Sequence, residues 1–303
     1  MLPGGFYLAL GLRWLRLKLQ RLFTIAPELP ESPGKSPDPV YQEIFRREIL
    51  APLAKDYFQS ELHQLENLPE DSPVMVTINH AGMCFPWDFI NLGFLLSKHR
   101  PWFVQPLAHP LFFDHPWLKW WLPCGWSEAL GGVRAERSSF ETAISNQTVV
   151  LYAPEGWRGL AKGWYQRYQL ARFDPSFVQL SLQYQVPIVP VICLGSENLH
   201  PWTVNVRWLA DRLRLPLFPI SPLMLLFLLF PSMGVWAARS RLRYYIQPVW
   251  YPWKDEIRPS PAGQPLPRRA VYRMAASLRS RLQATIDSLQ KPEAKPKLHP
   301  GDF

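Results

Sequence analysis

From residue 74 onward, short apolar runs alternate with amphipathic stretches. VMVTI (74–78), WFVQPLA (102–108), TVVLYAP (148–154) and PIVPVICLG (187–195) have the length and β-branched content of buried strands. Between them FINLGFLLSKH (89–99), the aromatic HPWLKWWL (115–122), SSFETAISN (138–146) and PSFVQLSLQYQ (175–185) read as helices, with Ser138 and Ser139 as candidate N-caps and Pro175 opening the last. Upstream, VYQEIFRREILAPLAKDYF (40–58) predicts a further helix, and downstream RLRYYIQPV (241–249) predicts a late strand. Strand and helix in alternation argue for an α/β domain whose central sheet is largely parallel and flanked by helices. Ligands of such sheets bind beyond the carboxyl ends of the strands.

The ends of the chain carry a different pattern. In FYLALGLRWLRLKLQRLF (6–23), Leu8, Leu12, Leu15, Leu19 and Leu22 fall on one helical face while Arg13, Arg16, Lys18 and Arg21 lie off it. A helix of this kind either packs on the domain or lies in a membrane interface. The Pro-rich stretch around GKSPDP (34–39) detaches it from the core and favours the membrane. Its charges are spread through the apolar residues instead of preceding them, unlike a cleaved signal peptide. The expected organisation is therefore a basic amphipathic helix and linker over 1–40 and an α/β domain over 41–290. A tail over 291–303, rich in Lys and Pro, is expected to be disordered. Residues 199–240 break the rhythm as an insertion or membrane-facing subdomain. Its apolar run Leu223 to Phe230, between Pro222 and Pro231, is shorter than the roughly 20 residues a spanning helix needs. RRAVYRMAASLRSRLQATIDSLQ (268–290) predicts a basic amphipathic C-terminal helix.

Charge and composition sharpen this picture. A net charge of +9 combined with 14 Trp, 17 Phe and 11 Tyr suits an anionic membrane surface at least as well as nucleic acid. The basic residues gather on terminal helices with no nucleic-acid recognition module, so a nucleic-acid partner is not expected. Three widely spread Cys form neither a disulfide framework nor a zinc pattern, which suits a reducing compartment. The expected location is cytoplasmic and peripherally membrane-associated.

Candidate chemistry centres on INHAGMCFPWDF (78–89), where His80 ends a strand and Asp88 lies across a Gly- and Pro-containing turn. An imidazole has an unperturbed pKa of about 6.5, and a carboxylate on its far nitrogen fixes the tautomer, so the pair has the makings of a general base and its orienting acid. Alternatively His80 is satisfied by backbone and Asp88 caps the helix from Phe89. GGVRAER (131–137) sets Arg134 and Arg137 beside two glycines, suited either to a phosphate or to a plain turn. APEGWRG (153–159) follows a strand with Glu155, Gly156 and Arg158, suited to a polar substrate and to oxyanion contact through backbone N–H groups, with Gly156 the expected donor.

In order and type these blocks resemble the phospholipid/glycerol acyltransferase superfamily, the lysophosphatidate acyltransferase-like enzymes, from about Leu65 to Glu197. LENLPEDSPVMVTINHAG (65–82) is similar to the approach to the family's first block, which implies His80 as general base with Asp88 orienting it. GGVRAER is similar to the second block and implies Arg137 as a contact to a polar head. PEGWRG is similar to the third, usually Pro-Glu-Gly-Thr-Arg, and implies Glu155, Gly156 and Arg158 in substrate binding. VPIVPV (186–191) is similar to the fourth, apolar block. The family usually has four residues between His and Asp, whereas seven intervene here, and Trp157 stands where Thr is usual. The spacing, in its Gly…Pro-Trp-Asp form, resembles the branch related to monoacylglycerol and diacylglycerol acyltransferases, Trp157 implies a more apolar site, and both weaken the case for lysophosphatidate as acceptor. The resemblance implies an O-acyltransferase moving a fatty acyl group from acyl-CoA or acyl carrier protein to a hydroxyl of a glycerolipid or other hydrophobic alcohol. No metal or bound cofactor is implied, and the partners are membrane lipids and the acyl donor. The runner-up is a 1-acylglycerol-3-phosphate acyltransferase; a rival of another class is a non-catalytic lipid-binding protein on the same fold. The sequence does not fix an oligomeric state.

Overall fold

The computed structural model describes residues 39–80, 86–114, 126–129, 131–213, 215, 217–222, 237–255 and 267–290, together with Leu12, Leu15, Arg16 and Leu19. The expected aromatic helix over 115–122, the apolar run Leu223 to Phe230 and the tail over 291–303 lie outside the described residues, as does most of the basic N-terminal helix. Leu12, Leu15, Arg16 and Leu19 are helical and exposed.

Seven strands form one sheet in the order β1-β9-β6-β2-β5-β3-β4. They are β1 (Glu61–His63), β2 (Val74–Ile78), β3 (Val104–Ala108), β4 (Val133–Arg134), β5 (Val149–Tyr152), β6 (Ile188–Leu194) and β9 (Arg243–Ile246). Every pairing is parallel except β6 with β9. A separate ribbon pairs β7 (Val204–Asn205) with β8 (Pro219–Ile220) antiparallel. The helices are α1 (Pro39–Phe45), α2 (Trp87–His99), α3 (Arg137–Ser145), α4 (Trp157–Leu160), α5 (Ser176–Tyr184), α6 (Arg207–Arg212) and α7 (Arg268–Gln290). Single helical turns lie at Leu111–Asp114 and Trp126–Ala129, and α1 leads into π-helical turns over Arg46–Leu50 and Leu53–Tyr57.

The continuous apolar runs are explained by burial on both faces, because a parallel strand under two layers of helix has no solvent side. All five residues of β2 and all seven of β6 are buried. Alternate residues of each strand then divide between two cores. Val74, Val76 and Ile78 join Val189, Val191 and Cys193 under α2 and the π-helical turns, whereas Met75, Ile188 and Ile192 face α3, α5 and α7. The C-terminal helix buries Val271, Ala275, Leu278, Leu282 and Ile286, a helical repeat that seats one stripe and leaves Arg268, Arg269, Arg273 and Arg281 exposed, while Arg279 donates to the Leu170 and Ala171 carbonyls.

Three local expectations change. Helix α3 begins at Arg137, with Glu136 extended before it and no side-chain cap, so Ser138 and Ser139 lie inside its first turn. Helix α2 begins at Trp87, which places Asp88 within the helix instead of before it. Strands β1 and β4 are too short for a periodicity to show, and each is fixed by its neighbour: β1 by β9, β4 by β3.

Candidate active site

His80 stands two residues beyond the end of β2, between the carboxyl ends of β5 and β6, where the strand order places Glu155 on one side and Glu197 on the other. The preceding residue holds the strand end in place. Asn79 donates from Nδ2 to the Cys193 carbonyl (3.1 Å) and accepts the Cys193 N–H at Oδ1 (2.7 Å), so its amide continues the β2–β6 ladder past Ile78. This clasp was not anticipated from sequence; the only signal was an Asn at a strand end.

His80 Nδ1 lies 3.5 Å from Asp88 Oδ1, with both side chains buried. The separation is longer than a hydrogen bond, and Nδ1 has no other hydrogen-bond partner. Seven intervening residues are thus bridged by having the first turn of α2 return over the strand end. Asp88 Oδ1 also accepts the Phe89 N–H at 2.9 Å, so the same carboxylate holds backbone and faces the imidazole, while no backbone group satisfies His80 Nδ1. The Asp88 carbonyl receives the Tyr244 hydroxyl at 3.0 Å; that hydroxyl accepts from Asn91 at 2.9 Å, and Asn91 donates to Ser60 at 2.7 Å. Burial pushes the Tyr244 phenol and the Cys193 thiol well above their ordinary values, which keeps both neutral and makes Cys193 a poor nucleophile.

Helix α4 packs directly on the His80 Cβ and carbonyl. A Cβ built on Gly159 would lie 2.6 Å from the His80 Cβ and 3.0 Å from the Glu155 Cβ, closer than carbon atoms approach. Gly159→Ala is therefore expected to push the His80 side chain away from Asp88 and lower turnover at least tenfold, because a shift of about 1 Å in a reacting group costs of that order or more. Michaelis constants measured on the same preparation are expected to change little. A variant with unaltered turnover would show that the helix can move aside freely.

The third block is organised inward. Gly156 has φ +54°, which a side chain tolerates poorly, although a Cβ there would meet nothing. Its N–H donates to the Ala153 carbonyl at 2.9 Å, so it is committed to the turn and is not the free oxyanion donor expected of it. Glu155 is fully buried; its Oε2 accepts Lys162 Nζ at 2.9 Å and the Ala171 N–H at 2.5 Å. Lys162 also donates to the Gln169 carbonyl at 3.1 Å, while Glu155 Oε1 is buried without a hydrogen-bond partner. Nothing in a Lys seven residues after a Glu on an irregular segment signals burial from sequence alone. Arg158 is exposed and lies over the Trp157 ring at 5.6 Å.

Arg137 is not gathered into this group. At the start of α3, beyond the edge strand β4, its guanidinium donates to Glu141 at 2.9 Å and to the Tyr184 hydroxyl at 3.3 Å, and Tyr184 in turn donates to Glu141. These partners hold its pKa above the ordinary arginine value. Arg134 of the same block pairs with Asp114 through two hydrogen bonds, of 2.5 and 2.9 Å. Among the described residues, no group of three or more His, Cys, Asp and Glu side chains could hold a metal ion.

Glu197, in the turn after β6, is the buried acid that sequence reasoning missed. Burial pushes its carboxyl up to about 7, against its own backbone N–H, Lys162 and the Gly195 N–H, the last at 2.9 Å. The folded pKa thus exceeds the unfolded value of about 4.5, so the folded state holds the proton more tightly. The resulting stability is fully present below pH 4.5 and falls as pH rises through 7. Glu197→Gln is expected to remove roughly 3 kcal/mol of that fall. Thermal melts at pH 5 and pH 8 would converge in the variant, and unchanged divergence would assign the pH dependence to another group.

Comparison with known proteins bears on this arrangement. Residues 59–194, which run from just before β1 to the end of β6 and include His80, Asp88 and Glu155, match the family model Acyltransferase. Over these residues the chain is similar to the acyltransferase family. Uncharacterized proteins of Mycobacterium bovis and Mycobacterium tuberculosis are each 32% identical to this chain over 192 residues, 61% of this chain and 51% of theirs. One from Mycobacterium leprae is 30% identical over the same length. The chain thus spans about half the length of the curated relatives it matches. Among solved structures, the 1-acyl-sn-glycerophosphate (LPA) acyltransferase PlsC from Thermotoga maritima aligns with a TM-score of 0.48 and 14% identity, covering 97% of this chain and 96% of that one.

Proposed function

We propose that this protein is an O-acyltransferase that moves a fatty acyl group from a thioester, acyl-CoA or acyl carrier protein, to a hydroxyl of a glycerolipid or other hydrophobic alcohol at a membrane surface. The observation that carries the reading is the buried His80–Asp88 pair at the strand ends of a domain that matches the family. Asp88 faces Nδ1, so Nδ1 carries the proton and Nε2 is left as the base. Nε2 takes the hydroxyl proton, the alcohol oxygen bonds to the thioester carbon, the C–S bond breaks, and the thiolate leaves with the proton returned by the imidazolium. Asn79, Gly159 and the Tyr244–Asn91 chain keep the imidazole and its acid in register.

The acceptor is best read as neutral. Arg137 is occupied by Glu141 and Tyr184, and Arg158 lies out on Trp157, so the described arginines supply no shared phosphate pocket beside His80. Membrane attachment is peripheral in this reading: among the described residues no helix is long and apolar enough to cross a bilayer. Incubating the purified chain with labelled acyl-CoA and acceptors presented in vesicles tests the proposal. Transfer to monoacylglycerol, diacylglycerol or a long-chain alcohol is expected to exceed transfer to lysophosphatidate. Transfer to lysophosphatidate alone would reverse the assignment of acceptor, and no transfer to any acceptor from either donor would favour a lipid-binding role.

A further inference from the structure

Of the twelve large hydrophobic side chains exposed among the described residues, seven fall in two short segments, 157–165 and 202–220. These segments touch. The Trp164 N–H donates to the Thr203 carbonyl at 2.8 Å, and the Trp164 and Trp202 rings lie 6.4 Å apart. Trp157 and Tyr165 come from the first segment, Trp202 and Trp208 from the second. Between the last two, Val204 and Ile220 sit directly opposite each other across the β7–β8 ribbon, so both project from the same side of it, and both are exposed.

Such a surface is costly in water unless something covers it. Its charge indicates what does. Arg158, Arg167, Arg207 and Arg212 are all exposed on the same two segments, with Arg158 and Arg167 stacked on Trp157 and Trp164. The only acid within 156–172 and 200–222 is Asp211. Tryptophan rings settle at the depth of lipid headgroups and arginines bind the phosphates above them, so rings and guanidinium groups together complement an anionic bilayer. The patch also adjoins the chemistry: Trp157 is exposed on the helical turn whose Gly159 packs on His80.

We propose that this aromatic and basic face, formed by helix α4, the segment after it and the β7–β8–α6 unit, docks on the headgroup layer of an anionic membrane and holds the strand ends against it. The inference rests on the peripheral-membrane reading above and assigns it a surface distinct from the helix at Leu12 to Leu19. Acceptor lipids would then reach His80 from the bilayer without crossing water.

The test uses the full chain in sedimentation with phosphatidylcholine vesicles, with and without phosphatidylglycerol. The triple variant W202S/W208S/I220S is expected to lose roughly tenfold or more in partitioning onto the anionic vesicles. R167E/R207E is expected to lose the preference for anionic lipid, and added salt is expected to weaken wild type more than this variant. Turnover of a soluble short-chain acceptor is expected to stay at the wild-type level in both, because none of these residues reaches His80; its loss would show a folding defect in one variant and leave the other as the arbiter. Failure of wild type to bind any vesicle would overturn the membrane reading itself. Undiminished binding by both variants, abolished instead by removing residues 1–38, would overturn only this surface. Conversion of a wild-type dimer to a monomer by the triple variant, read by light scattering, would make the face a protein interface and also overturn it.

Discussion

His80→Ala is expected to lower acyl transfer by about a hundredfold to ten-thousandfold, the usual consequence of removing a general base. The loss should appear in kcat, since the imidazole acts on a proton that moves only as the bond forms. The protein should remain folded, because the Asn79 clasp on Cys193 and the Tyr244 bond to the Asp88 carbonyl do not involve the imidazole. Asp88→Asn is the informative companion. It retains an oxygen for the Phe89 N–H but no charge for the imidazolium, so its rate should fall less than that of His80→Ala, with little loss of stability. Turnover measured on folded protein, with acyl-CoA saturating, decides the matter; a His80→Ala enzyme working at near-normal rate would end the proposal.

Lys162→Met is expected to produce the largest loss of stability. The ammonium is the ionic partner of Glu155, a carboxylate with no solvent exposure on its side chain. Breaking a buried pair from one side typically costs about 3–5 kcal/mol, because the remaining charge stays desolvated. In a domain of this size that corresponds to a drop of roughly 6–20 °C in melting temperature. Adding Glu155→Gln should restore at least half of it, since the amide oxygen still accepts the Ala171 N–H and no orphan charge is left. Calorimetry on the two single variants and the double gives the coupling directly. Additive losses would mean that the pair contributes no mutual stabilisation. The expected coupling assigns Glu155 a supporting role beneath His80 instead of direct contact with substrate.

The sheet was readable from sequence where β2, β3, β5 and β6 appear as apolar runs bounded by Pro, Gly or Asn, two of which, β2 and β6, are buried along their whole length. Strands β1 and β4 were not, since segments of three and two residues carry no period and owe their conformation to a neighbour distant in sequence. At the site, His80 and Asp88 were legible as residue types at a strand end. Their meeting depends on α2 starting at Trp87, which a helix read from Phe89 did not foresee. Lys162 and Glu197 were hidden for a more general reason. A charged residue in an irregular segment looks like surface until the fold packs another element against it, and only the buried partner or the burial itself reveals its role. Gly156 shows the reverse case: its glycine was correctly singled out, but φ, not a ligand, is what requires it.

The edge pairing of the sheet also orders events during synthesis. Strand β6 is entirely buried in the finished fold, yet the partner along its outer edge, β9, begins 49 residues after β6 ends, at Arg243. β1, made more than a hundred residues earlier, pairs among the described residues only with that same β9. While the ribosome adds the intervening residues, an apolar strand edge is open to pairing with any other nascent chain, and the segment from Phe58 to Glu61 lacks the two backbone bonds it makes to Leu242. The last of the described strands to emerge is therefore what closes both gaps, and a chain interrupted before residue 243 leaves the outer edge of β6 unpaired.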